Sequence, residues 1–416
     1  MIGTQITIHV KKVLDAQSKL SGVAEKTPLN FSLNLSEELQ SAVFLKREDM
    51  QVVRSYKLRG AYNKMASLSE AEKSRGIVCA SAGNHAQGVA FSCNKLGIEG
   101  KIFMPVTTPQ QKVKQVKWFG KSNIEVILVG DTFDDSNNEA LQYCKQNNKV
   151  FVPPFDDQKV IEGQGTIGLE ILEQASKPID YIFVPVGGGG LAAGLGSVFR
   201  QLSPHTKIIG VQPAGAPSMY ESIKKGERLK LEHIEKFVDG AAVKQPGVLT
   251  FDICRDVLDD IILIEEGEIC SIMLKLYNEN AIVVEPAGAL SIAALNHFKG
   301  EIKGKNVVCV ISGSNNDITR MEEIKERSLL HEGLKHYFLI TFPQRAGALK
   351  EYLVNVLNPT DDITYFQYVK KNSRENGPAV VGIELFSKDN YNSLIEKMNS
   401  YNIQYEEINN KVELFK

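Results

Sequence analysis

Short apolar runs alternate with longer amphipathic stretches from about residue 40 to residue 325. This alternation is typical of βα units that build a mostly parallel sheet. The apolar runs are too many for one comfortable sheet of this kind, so we predict an α/β fold with two open, twisted α/β domains and a ligand cleft between them. The smaller domain is expected at about residues 50–150. The predicted strands are Ala42–Leu45, Ile77–Ala80, Ile102–Met104, Val126–Val129, Tyr181–Val186, Ile208–Val211, Ile261–Ile264 and Val307–Ile311.

The pattern changes near residue 335, where strand-like and helix-like segments follow one another in the order βαββαβ. This order predicts a ferredoxin-like module of about 80 residues. The charged stretch at 320–327 is predicted to be a solvated connecting helix, which places the domain boundary between 1–333 and 334–416. The predicted elements of the module are the strand His336–Phe342, the helix Gly347–Leu357, the strands Ile363–Val369 and Ala379–Leu385, the helix Tyr391–Asn399 and the strand Gln404–Ile408.

The composition is that of an ordinary globular protein, with 43% hydrophobic and 24% charged residues and a formal net charge of -2. This balance gives no reason to expect a nucleic-acid partner. The start of the chain lacks the pattern of a signal peptide, and no apolar run approaches the roughly 20 residues of a membrane span, so we expect a cytoplasmic location and no membrane partner. The six cysteines are scattered singly, without zinc or redox spacing, and are expected to be inert core thiols.

The segment Arg54–Ala61 (RSYKLRGA) contains a lysine in an unusual setting. A lysine alone is nearly always a solvated surface charge, but Lys57 lies between a tyrosine and a leucine at the predicted start of a helix. A Schiff-base lysine must spend time as a neutral amine, and partial burial or nearby cations such as Arg54 and Arg59 would favour that form. Lys57 is therefore a candidate catalytic residue, although the pattern permits this role without requiring it.

The segment 79–88 (CASAGNHAQG) follows a predicted strand and opens a helix. Small residues let the backbone approach a ligand, and the free N–H groups of a helix N-terminus favour an anion such as a substrate carboxylate. The alternative is that Ser81 or Asn84 only caps the helix. The Asn84 amide can also donate to a ring oxygen. The candidate carboxylate-binding residues are Ser81, Ala82, Gly83, Asn84 and His85.

Four consecutive glycines, Gly187, Gly188, Gly189 and Gly190, join another predicted strand to another helix. Consecutive glycines can turn successive N–H groups inward as a nest, and the following helix adds its positive dipole end, which together suit a phosphate. The pattern is not GxGxxG and no P-loop lysine follows, so a nucleotide is disfavoured; a glycine-rich turn without a ligand is the alternative.

Ser312, at the end of the last predicted strand, can donate to a pyridine nitrogen or can be a turn serine.

Together these segments resemble the pyridoxal-phosphate (PLP) enzymes of fold type II and, within them, the threonine and serine dehydratases. The resemblance rests on SYKLRGA at 55–61, SAGNHAQG at 81–88, VPVGGGGL at 184–191 and SGSN at 312–315, and it covers about residues 5–330. It implies PLP as cofactor, with Lys57 as its Schiff-base lysine, Asn84 at its 3-oxygen, Ser312 at its ring nitrogen, and Gly187–Gly190 with Leu191 at its phosphate. Glu285 resembles the family's cofactor-side glutamate, although a simple helix-start glutamate is the alternative.

The resemblance implies that the substrate amine displaces Lys57, which then acts as the base on Cα, so that water and ammonia are lost and a 2-oxo acid forms. Threonine, giving 2-oxobutanoate for isoleucine synthesis, is the leading substrate; a serine dehydratase or related β-eliminase is the alternative, and an inactive amino-acid sensor is a third hypothesis. Serine racemases of this group carry a serine at the position of Ala82, and acidic metal ligands where this chain has Gln212, Ala216 and Ser218. We therefore expect neither racemisation nor a metal site.

The segment Thr341–Leu349 (TFPQRAGAL) resembles the ACT-like domain of the biosynthetic threonine dehydratases. The resemblance implies that residues 334–416 bind isoleucine and valine as effectors, so feedback regulation is expected. A single copy fits the shorter form of these enzymes with one such domain, and the resemblance also implies a homotetramer. Ala346 stands where the family has proline, which leaves the rigidity of this loop open.

Overall fold

The structure, a computed structural model, describes residues 7–368 and 376–414. These residues form two compact units. The first extends to Glu266 and includes Leu276–Asn316, and the second consists of Gly267–Lys275 and of the chain from Asp317 onward. Within the described ranges, no helix is both long and apolar enough to cross a membrane.

The strands and helices of residues 10–311 follow the predicted alternation. Each predicted strand is present, with bounds that differ by at most two residues. Two strands of two and three residues escape the sequence pattern because they are too short to show alternation. In chain order the elements are α1 (Val10–Leu20), β1 (Leu29–Phe31), α2 (Leu33–Leu39), β2 (Ala42–Arg47), α3 (Lys57–Ala66), α4 (Glu70–Arg75), β3 (Ile77–Ala80), α5 (Asn84–Leu96), β4 (Gly100–Met104), α6 (Gln110–Gly120), β5 (Ile124–Leu128), α7 (Phe133–Gln146), β6 (Val150–Phe151), α8 (Gln158–Gln174), β7 (Tyr181–Pro185), α9 (Gly190–Leu202), β8 (Lys207–Pro213), α10 (Ser218–Lys225), α11 (Val248–Val257), β9 (Asp260–Ile264), α12 (Glu266–Asn280), α13 (Pro286–Ala293), α14 (Lys299–Ile302) and β10 (Asn306–Ile311).

A six-stranded sheet forms the larger half of the first unit, with the order β1-β2-β10-β7-β8-β9. Its pairings are parallel except that of β1 with β2. The central strand β7 is buried along its whole length, as expected for a parallel sheet that is covered on both faces. Because β10 lies between β2 and β7, Cys309 is the register partner of both Leu45 and Phe183. The carboxyl ends of these three strands therefore meet at one edge, where open α/β sheets bind ligands.

A second parallel sheet, with the order β5-β4-β3-β6, forms the smaller half. Each sheet has an apolar core of its own. The larger half packs around residues such as Ile182 and Leu195, and the smaller half around residues such as Val89 and Ile102. The prediction of two open α/β domains is confirmed.

The second unit contains the helix α15 (Met321–His331), which is followed by the predicted βαββαβ order. Its strands form an antiparallel sheet in the order β12-β13-β11-β14, which is the ferredoxin-like arrangement, so this prediction is also confirmed. Val369, at the end of a predicted strand, lies outside the described residues. The elements are β11 (Lys335–Pro343), α16 (Ala348–Asn355), β12 (Asp362–Tyr368), β13 (Asn376–Glu384), α17 (Asn390–Ser400) and β14 (Gln404–Glu407).

The helix α15 packs on this sheet and is more than the solvated connector that its charge pattern predicts. Ile324 and Ser328 are buried, and Glu326 accepts a hydrogen bond of 2.6 Å from the buried hydroxyl of Tyr337. Since Tyr337 alternates along β11 with the core residue Phe338, α15 covers the sheet face opposite to α16 and α17. The compact unit therefore begins upstream of α15; the domain boundary near residue 333 stays a prediction.

A buried network of four charged side chains fixes α3 against α8 and β2. Arg59, which is 1% exposed, donates to both carboxylate oxygens of Glu48 and of Glu170 over 2.6–2.9 Å. Lys46 donates to Glu170 and to the carbonyl oxygen of Thr27, both at 2.6 Å. Buried charges are stable only when they are paired and hydrogen-bonded, and here two cations balance two carboxylates.

Breaking this network is expected to destabilise the first unit strongly. Replacing Glu170 by alanine leaves Glu48 as the single carboxylate of the network beside the two buried cations Arg59 and Lys46, so the free energy of unfolding should fall by about 3–5 kcal/mol. The matched control is Lys26→Ala, which removes the exposed ion pair with Glu173 and should have little effect. Urea unfolding measures both variants, and equal losses would contradict the importance of the buried network.

Candidate active site

Lys57 is the first residue of α3 and is half-buried. Its Nζ donates to the carbonyl oxygen of Pro154 at 3.0 Å and lies 5.3 Å from the centre of the Tyr56 ring. Burial lowers the pKa of Lys57 to about 8, and the negative charge of Glu285 opposes this shift. The amine can therefore lose its proton near neutral pH, as a nucleophile or general base must.

Burial, and not a neighbouring cation, is the physical cause of this lowered pKa. The sequence suggests that Arg54 and Arg59 repel the charge on Lys57. The Arg59 guanidinium is instead paired with Glu48 and Glu170, so its positive charge is cancelled locally. This part of the prediction is wrong, because a sequence shows a charge without showing its partner.

Glu285 joins segments that are far apart in the chain. Its Oε1 accepts a hydrogen bond from Asn84 Nδ2 at 2.7 Å, and its Oε2 accepts one from the backbone N–H of Asn315 at 3.2 Å. Burial raises the pKa of this carboxyl to about 7; Asp239 adds to the rise, while the hydrogen bond of Asn84 and the charge of Lys112 oppose it. Although Glu285 precedes α13, its side chain makes no capping hydrogen bond there, so it is more than a helix-start residue.

Ser312 follows β10 and lies beside the segment that carries Lys57. Its carbonyl oxygen accepts a hydrogen bond from the backbone N–H of Tyr56 at 3.2 Å, and Ser55 forms an antiparallel bridge with Gly313. These backbone contacts bring the first and last predicted segments together. The role of the Ser312 hydroxyl toward a ring nitrogen stays a prediction.

The four glycines form the turn from β7 into α9. Gly189 has a φ of 91°, a left-handed conformation that other residues adopt only with strain. A Cβ at Gly188 would lie 2.4 Å from the Phe155 ring, and a Cβ at Gly187 would lie 2.9 Å from the Cα of Ala241. The backbone thus approaches its neighbours closely, and the N–H groups at the start of α9 remain for an anion.

The turn from β3 into α5 carries the predicted carboxylate site. Gly83 is the N-cap of α5, so the alternative that Ser81 or Asn84 caps this helix is wrong; the Ser81 hydroxyl accepts a hydrogen bond from the Gly83 N–H instead. His85 Nε2 lies 2.8 Å from the carbonyl oxygen of Val152, which can only accept, so Nε2 carries the hydrogen. Burial lowers the pKa of His85 to about 3, and the imidazole is neutral at ordinary pH.

The segment 152–157 (VPPFDD), which lies outside the sequence motifs, connects most of these groups. Its backbone carbonyls hold Lys57 and His85, and the Phe155 ring lies against the glycine turn. Asp156 accepts three hydrogen bonds from backbone N–H groups at the start of α11. Two prolines followed by two aspartates, directly before a helical pattern, are a loop signal that could have drawn attention to it.

Three features of this site fit a cofactor with an aldehyde, an aromatic ring and a phosphate. Lys57 supplies an amine with a lowered pKa, and the glycine turn supplies backbone N–H groups next to the buried Leu191. Two buried polar atoms nearby, Asn84 Oδ1 and Ser55 Oγ, have no hydrogen-bond partner among the described residues. Buried polar atoms normally have one, so this site has capacity for a polar ligand.

The described residues form neither a metal site nor a redox-active thiol. In the described parts of the chain, no group of three or more His, Cys, Asp or Glu residues could hold a metal ion. The six cysteines are all buried, and burial raises the pKa values of Cys79, Cys93, Cys254 and Cys309. Thiols of this kind are unreactive core residues.

Comparison with protein families agrees with this geometry. Residues 20–313 match the family model described as pyridoxal-phosphate dependent enzyme, and residues 326–416 match the model of the C-terminal regulatory domain of threonine dehydratase. The fold and the site thus define a PLP-dependent enzyme with a regulatory domain, and the predicted cofactor is confirmed.

Comparison with individual relatives narrows the class of PLP-dependent enzyme to which the chain belongs. Over 408 residues the chain is 56% identical to the biosynthetic L-threonine dehydratase IlvA of Halalkalibacterium halodurans, with 98% of both chains covered. It is also 56% identical to that of Bacillus subtilis (strain 168), covering 98% of this chain and 97% of the relative. The processed form of threonine deaminase isoform 2 from Solanum lycopersicum aligns with a TM-score of 0.74 and 41% identity, over 77% of this chain and 88% of that one. The chain belongs to the family of biosynthetic L-threonine dehydratases.

The glycine turn generates a prediction for cofactor affinity. Gly188→Ala places a Cβ against the Phe155 ring, so the turn must shift and the affinity for PLP should fall about tenfold or more. Gly300→Ala is the matched control, because a Cβ at Gly300 meets no described residue within 4 Å. PLP titration followed by absorbance measures both variants; equal affinities would show that the turn is not the cofactor cradle.

The buried Glu285 generates a prediction for stability against pH. Its pKa rises from the ordinary value of 4.5 to about 7, so the folded protein resists ionising a group that is ionised in the unfolded chain. This penalty is absent below pH 4.5 and complete above pH 7. The free energy of unfolding of Glu285→Gln, compared with that of the wild type, should therefore rise by about 3 kcal/mol as the pH increases from about 4.5 to about 8.

Urea unfolding of the PLP-free protein at the two pH values tests this expectation. The control is Glu37→Gln, since Glu37 is exposed. A difference between Glu285→Gln and wild type that does not change with pH would contradict a raised pKa of Glu285.

Proposed function

We propose that the chain removes water and ammonia from L-threonine to give 2-oxobutanoate, the first step of isoleucine synthesis. The observation that carries the proposal is the half-buried Lys57, whose amine donates to the carbonyl oxygen of Pro154 and has a pKa lowered to about 8. Such an amine can bind an aldehyde and then accept a proton. The family to which the chain belongs supplies the reaction class, and its relatives are named for threonine.

Each predicted site residue then has a task. Lys57 would hold PLP covalently, Asn84 would bind its 3-oxygen, Ser312 would face its ring nitrogen, and Gly187–Gly190 with Leu191 would hold its phosphate. Bound PLP supplies the electron sink that makes the Cα–H bond of the amino acid acidic. Lys57, once released by the substrate amine, accepts the Cα proton at its neutral Nζ and delivers a proton to the departing hydroxyl group.

The segment 81–85 is assigned to the substrate carboxylate. The N–H groups in the first turn of α5 have no partner within the helix and favour an anion. The neutral His85, held by the Val152 carbonyl oxygen, keeps this turn rigid without adding a charge. Ala82 has no ionisable group, so Lys57 is the single base that we assign to Cα, which favours elimination over racemisation.

Residues 334–416 are assigned to feedback regulation, with isoleucine and valine as effectors. The support for this assignment is the folded βαββαβ unit and its match to the regulatory domain of threonine dehydratase. A homotetramer, a cytoplasmic location and a functional boundary near residue 333 belong to the same proposal.

Production of 2-oxo acid by the purified full-length chain tests the proposal. Wild type should form 2-oxobutanoate from L-threonine, isoleucine should suppress the rate, and Lys57→Ala should lose activity by several orders of magnitude because base and cofactor attachment disappear together. Serine should react more slowly, since losing one methyl contact costs only about 1–3 kcal/mol.

Two other outcomes point elsewhere. Reaction of serine or another β-substituted amino acid in place of threonine would assign the chain to a different β-eliminase. Absence of any PLP absorbance band and of any turnover would favour an inactive amino-acid sensor.

A further inference from the structure

Two ion pairs join the two halves of the first unit at one loop, residues 239–244 (DGAAVK), which we call the clasp loop. Lys112 Nζ on α6 lies 2.7 Å from Asp239 Oδ2 at one end of the loop. Asp134 Oδ2 on α7 lies 3.5 Å from Lys244 Nζ at its other end. The helices α6 and α7 belong to the smaller half, while the loop lies between β8 and α11 of the larger half. The loop contributes the carboxylate to the first pair and the amine to the second.

The same loop forms a wall of the candidate active site. A Cβ at Gly240 would lie 3.2 Å from Glu285 Oε1, so the loop backbone passes directly beside that carboxylate. Ala241 lies against Gly187, the first residue of the proposed phosphate turn. A movement of the clasp loop would therefore open the site both at the proposed phosphate turn and beside Glu285.

We propose that Lys112, Asp239, Asp134 and Lys244 are positioning residues whose ion pairs hold the clasp loop closed over bound substrate and part to admit it. The inference rests on the proposed function, because threonine is the substrate used to test it. Both pairs are partly exposed, with side-chain exposures of 15% and 41% in one and 35% and 59% in the other. Exposed pairs shift an equilibrium by only about two- to fivefold each, which suits a contact that must open and close repeatedly.

The two ion pairs should make the KM for threonine depend on the salt concentration. Threonine is a zwitterion without net charge, so salt has little direct effect on its long-range attraction to the protein. Salt does screen exposed ion pairs. Added NaCl should therefore raise the KM for threonine in the wild type by loosening the clasp loop, and should have less effect once the pairs have been removed.

The first experiment compares Lys112→Met/Lys244→Met with wild type and with the matched control Lys117→Met, an exposed lysine of the same helix α6. Methionine keeps an unbranched apolar side chain and removes the charge. Hydrogen–deuterium exchange of the amides at 239–244, measured without substrate, should be about fourfold faster or more in the double variant and unchanged in the control. The KM for threonine should rise by a similar factor, with a smaller change in kcat.

Charge reversal distinguishes the loss of the ion pair from other effects of mutation. Lys112→Asp sets two carboxylates against each other and should raise the KM further, whereas adding Asp239→Lys to it restores an ion pair of reversed polarity and should recover most of the loss. Unchanged exchange and KM in the double methionine variant, or no recovery in the reversed pair, would overturn the inference. If the wild type does not turn over threonine, the proposed function fails, and the exchange measurement alone then decides whether the pairs hold the loop.

Discussion

Helix α3 keeps two kinds of buried charge apart, and the candidate active site depends on this separation. Two residues into the helix, Arg59 is enclosed by the carboxylates of Glu48 and Glu170. At its first position, the half-buried Lys57 donates to the carbonyl oxygen of Pro154, with no carboxylate within ion-pair distance among the residues that the structure describes. An opposite charge beside Lys57 would counteract the lowering of its pKa by burial. Because Glu48 and Glu170 are already paired with Arg59, neither carboxylate is left to pair with Lys57.

Glu285 is the counterpart of Lys57, because burial shifts its pKa in the opposite sense. The amine is driven toward its neutral form and the carboxyl toward its protonated form, and both changes fall close to neutral pH. Groups whose surroundings displace their pKa values in this way are typical of acid–base sites. The carboxyl is held by Asn84 and Asn315, which follow two strands of different sheets, so it also fixes the two halves of the unit at the cleft.

The sequence reveals most of the fold and the main segments of the site, since strands of four or more apolar residues and glycine-rich turns leave strong local patterns. The contacts that assemble the site are not local. Asn84 and Glu285 are 201 residues apart, and Arg59 and Glu170 are 111 apart. For this reason the sequence assigns Arg59 to the wrong neighbour and passes over Phe155, whose ring lies against the glycine turn. The short strands β1 and β6 are missed because their pairing is set by the sheet and not by their own residues.

The ion pairs of the first unit differ enough in burial to serve different purposes. Removing one partner of the network around Arg59 costs about 3–5 kcal/mol, because the remaining charge stays buried. Such a network persists through every turnover and can position Lys57 but cannot act as a gate. The pairs of the clasp loop are partly exposed and are individually worth at most about 1 kcal/mol, so thermal motion breaks them readily. An enzyme that must hold its base rigidly and still admit substrate needs both kinds, and here the strong pairs lie behind the reactive lysine while the weak ones lie across the cleft.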